Sequence, residues 1–210
     1  MGKAPQYVLA LLVVFGSLYG IRFLLPEKPI PLTGEAIDPD LLLSNSRTYV
    51  KEHAYGRSIE NLNLAIDAIR NIEGDLDEES TRLLEEAVAD LELIKQELLG
   101  DSLSIDDLNI SYSEALNALT EIEVKVTKAL IESDQGTKAM VALRYGMMHL
   151  KNTLKYTQGA KKDYEIHIYE EIDSLLDNKD VSHDEMLEKL NHIIGELDSL
   201  RQDNLHKPKN

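Results

Sequence analysis

A chain of 210 residues with a formal charge of −16 and no cysteine excludes several chemistries at the outset. Without thiols there is no disulfide framework, thiolate nucleophile, iron–sulfur cluster or thiolate zinc site. An acidic field of this size opposes nucleic acid and anionic lipid surfaces, which need clustered Lys and Arg; with no Trp and two Phe, any core is aliphatic.

The first element is an apolar run, Tyr7–Leu25 (YVLALLVVFGSLYGIRFLL), 19 residues long with Arg22 as its one charge. A bilayer core takes about 20 apolar residues in a helix. Arg22 near the far end suits a snorkelling side chain, Tyr7 and Tyr19 suit the interface, and Pro26 stops the helix. A cleaved signal peptide wants a small residue three positions before the cut, and the best candidate, Leu18-Tyr19-Gly20, has Leu there. Residues 1–25 therefore read as an uncleaved signal-anchor of a single-pass membrane protein. Lys3 against Arg22 and Lys28 leaves the positive-inside rule nearly balanced. The expectation that the bulk of the chain is extracytoplasmic (periplasmic or external) rests on how commonly such anchors export the domain attached to them. Gly16 and Gly20 form a G-x-x-x-G pair, a spacing that lets two membrane helices approach closely, and are the candidate contact for dimerisation within the membrane.

Residues 26–38 (PEKPIPLTGEAID) hold three prolines and a glycine and read as a linker. Residues 39–203 read as an acidic all-α domain, an antiparallel bundle of five to six amphipathic helices built from hairpins, and 204–210 as a disordered tail. Asp38-Pro39 is a cap followed by a first-turn proline. The first helix is expected to run from there to about Ile72, with Tyr55, Ile59, Leu62, Ile66 and Ile69 on one face, and to close at Gly74-Asp75. The second carries Leu84, Val88, Leu91, Ile94 and Leu98 and ends at Gly100. The third opens at Ser104 with Asp107 three residues on, a capping-box spacing, and is expected to break at Gln135-Gly136. The fourth, about 137–157, stacks Ala139, Met140, Leu143, Met147, Leu150 and Leu154 and ends at Gly159; the fifth, about 161–177, carries Ile168, Ile172 and Leu175; the sixth is capped at Ser182 and carries Met186, Leu190, Ile193 and Leu197. No stretch alternates long enough for a strand.

Two helices are apolar on a second side. Val141, Tyr145 and Met148 lie about 140–200° around the fourth helix from Leu143, and Val124 and Ile131 do the same on the third. Either these are central helices covered by the others, or the five residues form a partner-binding or self-association face.

Histidine is the main candidate for chemistry. Asp163/His167 and Glu188/His192 are acid–histidine pairs four residues apart, and in an antiparallel hairpin they would sit at similar heights. Helical angles point both imidazoles away from the apolar stripe, whereas bundle metal sites project Glu-x-x-His pairs inward, and this chain has none. They read as exposed ion pairs worth a few tenths, roughly, of a kcal/mol each, with no metal ligand and no cofactor implied. His149 lies in MMHLKNTLKY. The phospho-accepting helix of two-component signalling proteins places a specific residue between its His and a Leu-Lys pair, or a proline shortly after; here Leu150 comes directly after His149 and no proline appears. His149 therefore reads as a polar residue flanking the apolar stripe. Gly-x-Ser-x-Gly and phosphate-cradling loops are absent.

The expectation is a membrane-tethered, non-enzymatic helical module for protein–protein interaction or scaffolding, with a protein partner or a second copy as its target and no nucleic acid. Two alternatives are an extracytoplasmic sensor with a ligand pocket lined by Tyr55, Tyr112 or Tyr145, and a metal-binding bundle.

Overall fold

The computed structural model describes residues 38–72, 76–100, 103–178 and 181–205. The apolar run with Gly16 and Gly20, the linker before Asp38, the Gly74-Asp75 stop and residues 206–210 of the expected tail lie outside the described residues, whereas 204 and 205 of that tail belong to the last helix. Among the described residues no helix is long and apolar enough to cross a membrane.

Seven α-helices and no strands occur among the described residues: α1 Pro39–Lys51, α2 Tyr55–Arg70, α3 Glu78–Leu99, α4 Ile105–Glu132, α5 Gly136–Thr153, α6 Gly159–Asp177 and α7 His183–Leu205. The all-α expectation holds. The count exceeds five to six because the expected first helix is two. After α1, His53 takes the left-handed conformation at φ 57°. The Ala54 amide bonds back to the Tyr49 carbonyl at 2.8 Å and the His53 amide to Val50 at 3.0 Å. This is a Schellman turn without its usual glycine, so the composition of the break carried no warning. Asp134 does the same at φ 59°, with the Gln135 amide on the Leu130 carbonyl at 2.8 Å. The turn expected at Gln135-Gly136 is thus made one residue earlier, and Gly136 opens α5. Gly159, expected to end a helix, starts α6 at φ 61°, and α5 stops at Thr153.

The caps follow the sequence. Asp38 Oδ1 accepts from the Asp40 amide at 2.9 Å with Pro39 in the first turn. Ser104 Oγ accepts from the Asp107 amide at 3.1 Å, and Ser182 Oγ from the Glu185 amide at 3.3 Å.

The helices close into two rings that share α4. In the first, α1 packs on α2, α2 on α3, α3 on α4, and α4 back on α1; in the second, α4 packs on α5, α5 on α6, α6 on α7, and α7 back on α4. Two cores result. Leu43, Leu62, Ile66, Ile69, Leu91, Leu108, Tyr112, Leu116 and Leu119 fill the first. Val124, Leu143, Leu150, Ile168, Ile172, Leu190 and Ile193 belong to the second. With 28 residues, α4 is about 42 Å long, enough to serve one ring with its N-terminal half and the other with its C-terminal half. Val124 and Ile131, the partner-face candidates on this helix, are buried in the second core and are not a surface. Their offset from the Leu116–Leu119 stripe is the turn of α4 from one ring to the next.

The α4–α5 crossing is close. Ala139, Ala142 and Gly146 are buried on α5. A Cβ placed on Gly146 would sit 3.2 Å from Glu123 Cβ and 3.4 Å from the Thr120 carbonyl oxygen. The Thr120 hydroxyl lies 3.3 Å from the Gly146 carbonyl and that of Thr127 3.4 Å from the Ala139 carbonyl. Small side chains here let the backbones meet.

Candidate functional site

Helix α5 is the one on which surface, interior and charge converge. Its inner face packs on α4. Its C-terminal turns receive the N-terminus of α1. Asp40, only 2% exposed, accepts from Asn152 Nδ2 at 2.6 Å and bonds His149 Nδ1 at 2.7 Å. Burial alone would lower the His149 pKa. The hydrogen bond and charge of Asp40, then the charges of Glu123 and Asp38, outweigh burial and raise it above the ordinary histidine value. His149 is 7% exposed, so the flanking position read from the sequence is covered. The flank of a helix is solvent or interior according to its neighbour, and α1 is that neighbour.

A separate set of polar contacts joins α1, α2 and α4. Arg47 Nε donates to Asn109 Oδ1 at 2.6 Å, and its guanidinium lies 5.4 Å from the Tyr156 ring. Tyr156 meets Tyr112 edge-on at 5.8 Å. The Tyr112 hydroxyl bonds Ser46 at 2.6 Å, and Ser46 bonds Ser58 at 2.8 Å. Burial pushes the Tyr156 phenol up to about 12 and that of Tyr112 further in the same direction. Tyr112 is fully buried in the first core while Tyr145 stands exposed on α5. Tyr55, the third tyrosine considered for a ligand pocket, packs against the same core as Tyr112.

A second buried acid sits between the rings. Glu165 of α6 is fully buried, accepting from Asn117 Nδ2 at 3.0 Å and Thr157 Oγ1 at 2.5 Å. Burial raises its pKa, against those two hydrogen bonds. The sequence did hold a signal: Glu165 lies three residues before Ile168, on the apolar stripe of its helix. A carboxyl whose folded pKa exceeds its unfolded one opposes folding once pH rises through the unfolded value, near 4.5. Glu165→Gln keeps both partners and removes that charge. We expect its thermal midpoint to exceed wild type at pH 7 by the equivalent of about 1 kcal/mol, with the gap closing below pH 4.5; a lower midpoint at pH 7 refutes this.

The outer face of α5 carries Val141, Tyr145 and Met148, exposed by 46%, 49% and 36%. At 100° per residue they fall within an arc of about 60°. All three lie on a side that no helix among the described residues covers. Sequence reading missed their rim. Lys138 lies on one edge and Arg144 and Lys151 on the other, all exposed. Among the described residues Arg144 and Lys151 form no ion pair, and α5 contains no Asp or Glu. In a chain of charge −16 this is a basic helix with an apolar stripe along it.

The histidines of the last hairpin are exposed, as expected, but paired differently. His167 Nε2 is 3.7 Å from Glu171 Oε1, on the turn after it, while Asp163 and Glu188 point to solvent. No family model, curated protein or solved structure matches this chain.

Proposed function

We propose that the domain is a non-enzymatic docking module, held at a membrane by Tyr7–Leu25, whose α5 face receives an acidic amphipathic helix of a partner protein. What carries this reading is the outer face of α5: an exposed apolar stripe of Val141, Tyr145 and Met148 edged by Lys138, Arg144 and Lys151. Apolar surface in a row along one helix is the surface that a second helix covers, with anchors at i, i+4 and i+7. Cations without carboxylate neighbours on that face favour a partner with acids beside its apolar stripe and speed its approach. The buried Asp40–His149 pair supports the same reading. It is sealed against α1, so it orients helices rather than meeting a substrate. Glu165 is likewise enclosed.

The test is photocrosslinking in intact cells, with a photoreactive phenylalanine analogue at position 145 of the full chain and identification of the crosslinked segment. The expected product is a helical protein segment of net negative charge. It should fall at least tenfold in Met148→Asp and in the double variant Arg144→Glu/Lys151→Glu, all of which leave the circular dichroism spectrum unchanged. A crosslink to lipid, to a second copy of this chain, or to nothing overturns the proposal. So does a protein crosslink indifferent to the charge reversals.

A further inference from the structure

The α6–α7 seam carries a group of side chains that the docking face does not use. His167, Glu171 and Glu196 bring one ligand atom each to within 4.8 Å of one another. Two of them come from α6 and one from α7, so the cluster bridges two antiparallel helices whose apolar sides are already joined through Ile168, Ile172, Leu190 and Ile193. The sequence repeats one spacing on both sides of the seam: His167-x3-Glu171 on α6 and His192-x3-Glu196 on α7. Residues four apart stand one above the other on a helix, so each helix offers an imidazole and a carboxylate on adjacent turns.

We propose that this seam binds one first-row divalent transition-metal ion of the zinc class, through His167, Glu171 and Glu196, with water completing the coordination. Imidazole nitrogen with carboxylate oxygen is the donor set that suits such an ion. Tetrahedral coordination at bonds of about 2.0–2.2 Å places ligand atoms about 3.3–3.6 Å apart. The present spread of up to 4.8 Å closes to that by rotation of side chains that are free to move, since His167 is more than half exposed. Two observations favour an ion over an ordinary surface ion pair. Glu171 and Glu196 set like charges facing each other across the seam with no Lys or Arg bonded to either among the described residues. And Glu196 Oε2 is shut off from solvent with no hydrogen-bond partner among the described residues, which is costly unless something positive satisfies it. Inward-facing Glu-x-x-His pairs belong to sites in a bundle core. A seam site needs only that two helices present donors to the same edge, so the helical angles that exclude a core site leave this one intact.

The site would pin the end of the second ring, with α6 and α7 cross-linked outside their apolar contact. The test is a cobalt titration of the full, untagged chain purified in detergent, followed by visible absorption, with zinc competition to report the tighter ion. One equivalent is expected to bind with micromolar affinity. His167→Ala and Glu196→Gln should each weaken it at least tenfold, while Asp163→Asn and Glu188→Gln, which alter the other acid of each histidine pair, should leave it unchanged. Zinc should raise the melting temperature of wild type and not of His167→Ala. Absence of saturable one-to-one binding overturns the proposal. Binding that survives His167→Ala also overturns it, because the ion is then held elsewhere.

Discussion

Asp40→Ala is expected to cost about 3 kcal/mol of folding stability, an effect of the size seen when one partner of a buried pair is removed. The loss has three parts. His149 Nδ1 and Asn152 Nδ2 both lose their acceptor, each in a place where water does not replace it. The first turn of α1 also loses an acid near its N-terminus, where the helix dipole favours one. The dependence on pH identifies the cause. The folded-state pKa of His149 is raised above its unfolded value near 6.5. The stability that its proton contributes is therefore complete below about pH 6.5 and is lost as pH rises through the folded value. The difference in melting temperature between wild type and Asp40→Ala should accordingly be larger at pH 6 than at pH 9. The remainder at pH 9 is the part that does not depend on the imidazolium charge: the lost acceptor of Asn152, the lost bond to the neutral imidazole and the lost acid in the first turn of α1. Thermal melts of both chains across this range measure it. A gap that is constant, or wider at pH 9, refutes the assignment of the effect to His149.

Gly146→Leu is expected to be about as damaging, roughly 2–3 kcal/mol, from overpacking rather than lost contacts. The first carbon added already lies 3.2 Å from Glu123 Cβ and 3.4 Å from the Thr120 carbonyl. Neither neighbour is the far end of a flexible chain, so α4 and α5 must separate. Separation also withdraws the Thr120 hydroxyl from the Gly146 carbonyl at 3.3 Å. Helix propensity works in the opposite direction by up to about 1 kcal/mol and is overcome. Denaturant unfolding should show a lower midpoint for Gly146→Leu. A control at Gly195, where a Cβ meets nothing within 4 Å, should gain a little stability from leucine. Equal behaviour at the two glycines would mean that the α4–α5 crossing is looser than these distances make it.

How much of this was legible beforehand depends on the residue. The apolar stripes of α3, α4, α6 and α7 come directly from spacing, and the Ser104 and Ser182 caps are where the hydroxyl patterns put them. The break inside 39–72 was hidden because His53, not a glycine, takes the left-handed turn. His149 was placed on the right part of its helix and given the wrong environment, since nothing in α5 says that α1 will cover it. Val124 and Ile131 had two readings on equal geometric terms, and a second ring of helices settled them as core. Val141, Tyr145 and Met148 had the same two readings and remained outside.

Periodicity and composition by themselves determined that this chain is helical, acidic, free of thiol chemistry and headed by an apolar run, because each of those properties is local or additive along the sequence. Which helix flanks meet, that one long helix serves two cores, that Asp40 finds His149 109 positions away, and that His167, Glu171 and Glu196 come together across two helices were decided only by the tertiary structure. Those facts depend on the order in which helices close around α4, and spacing within a helix carries no information about its neighbours.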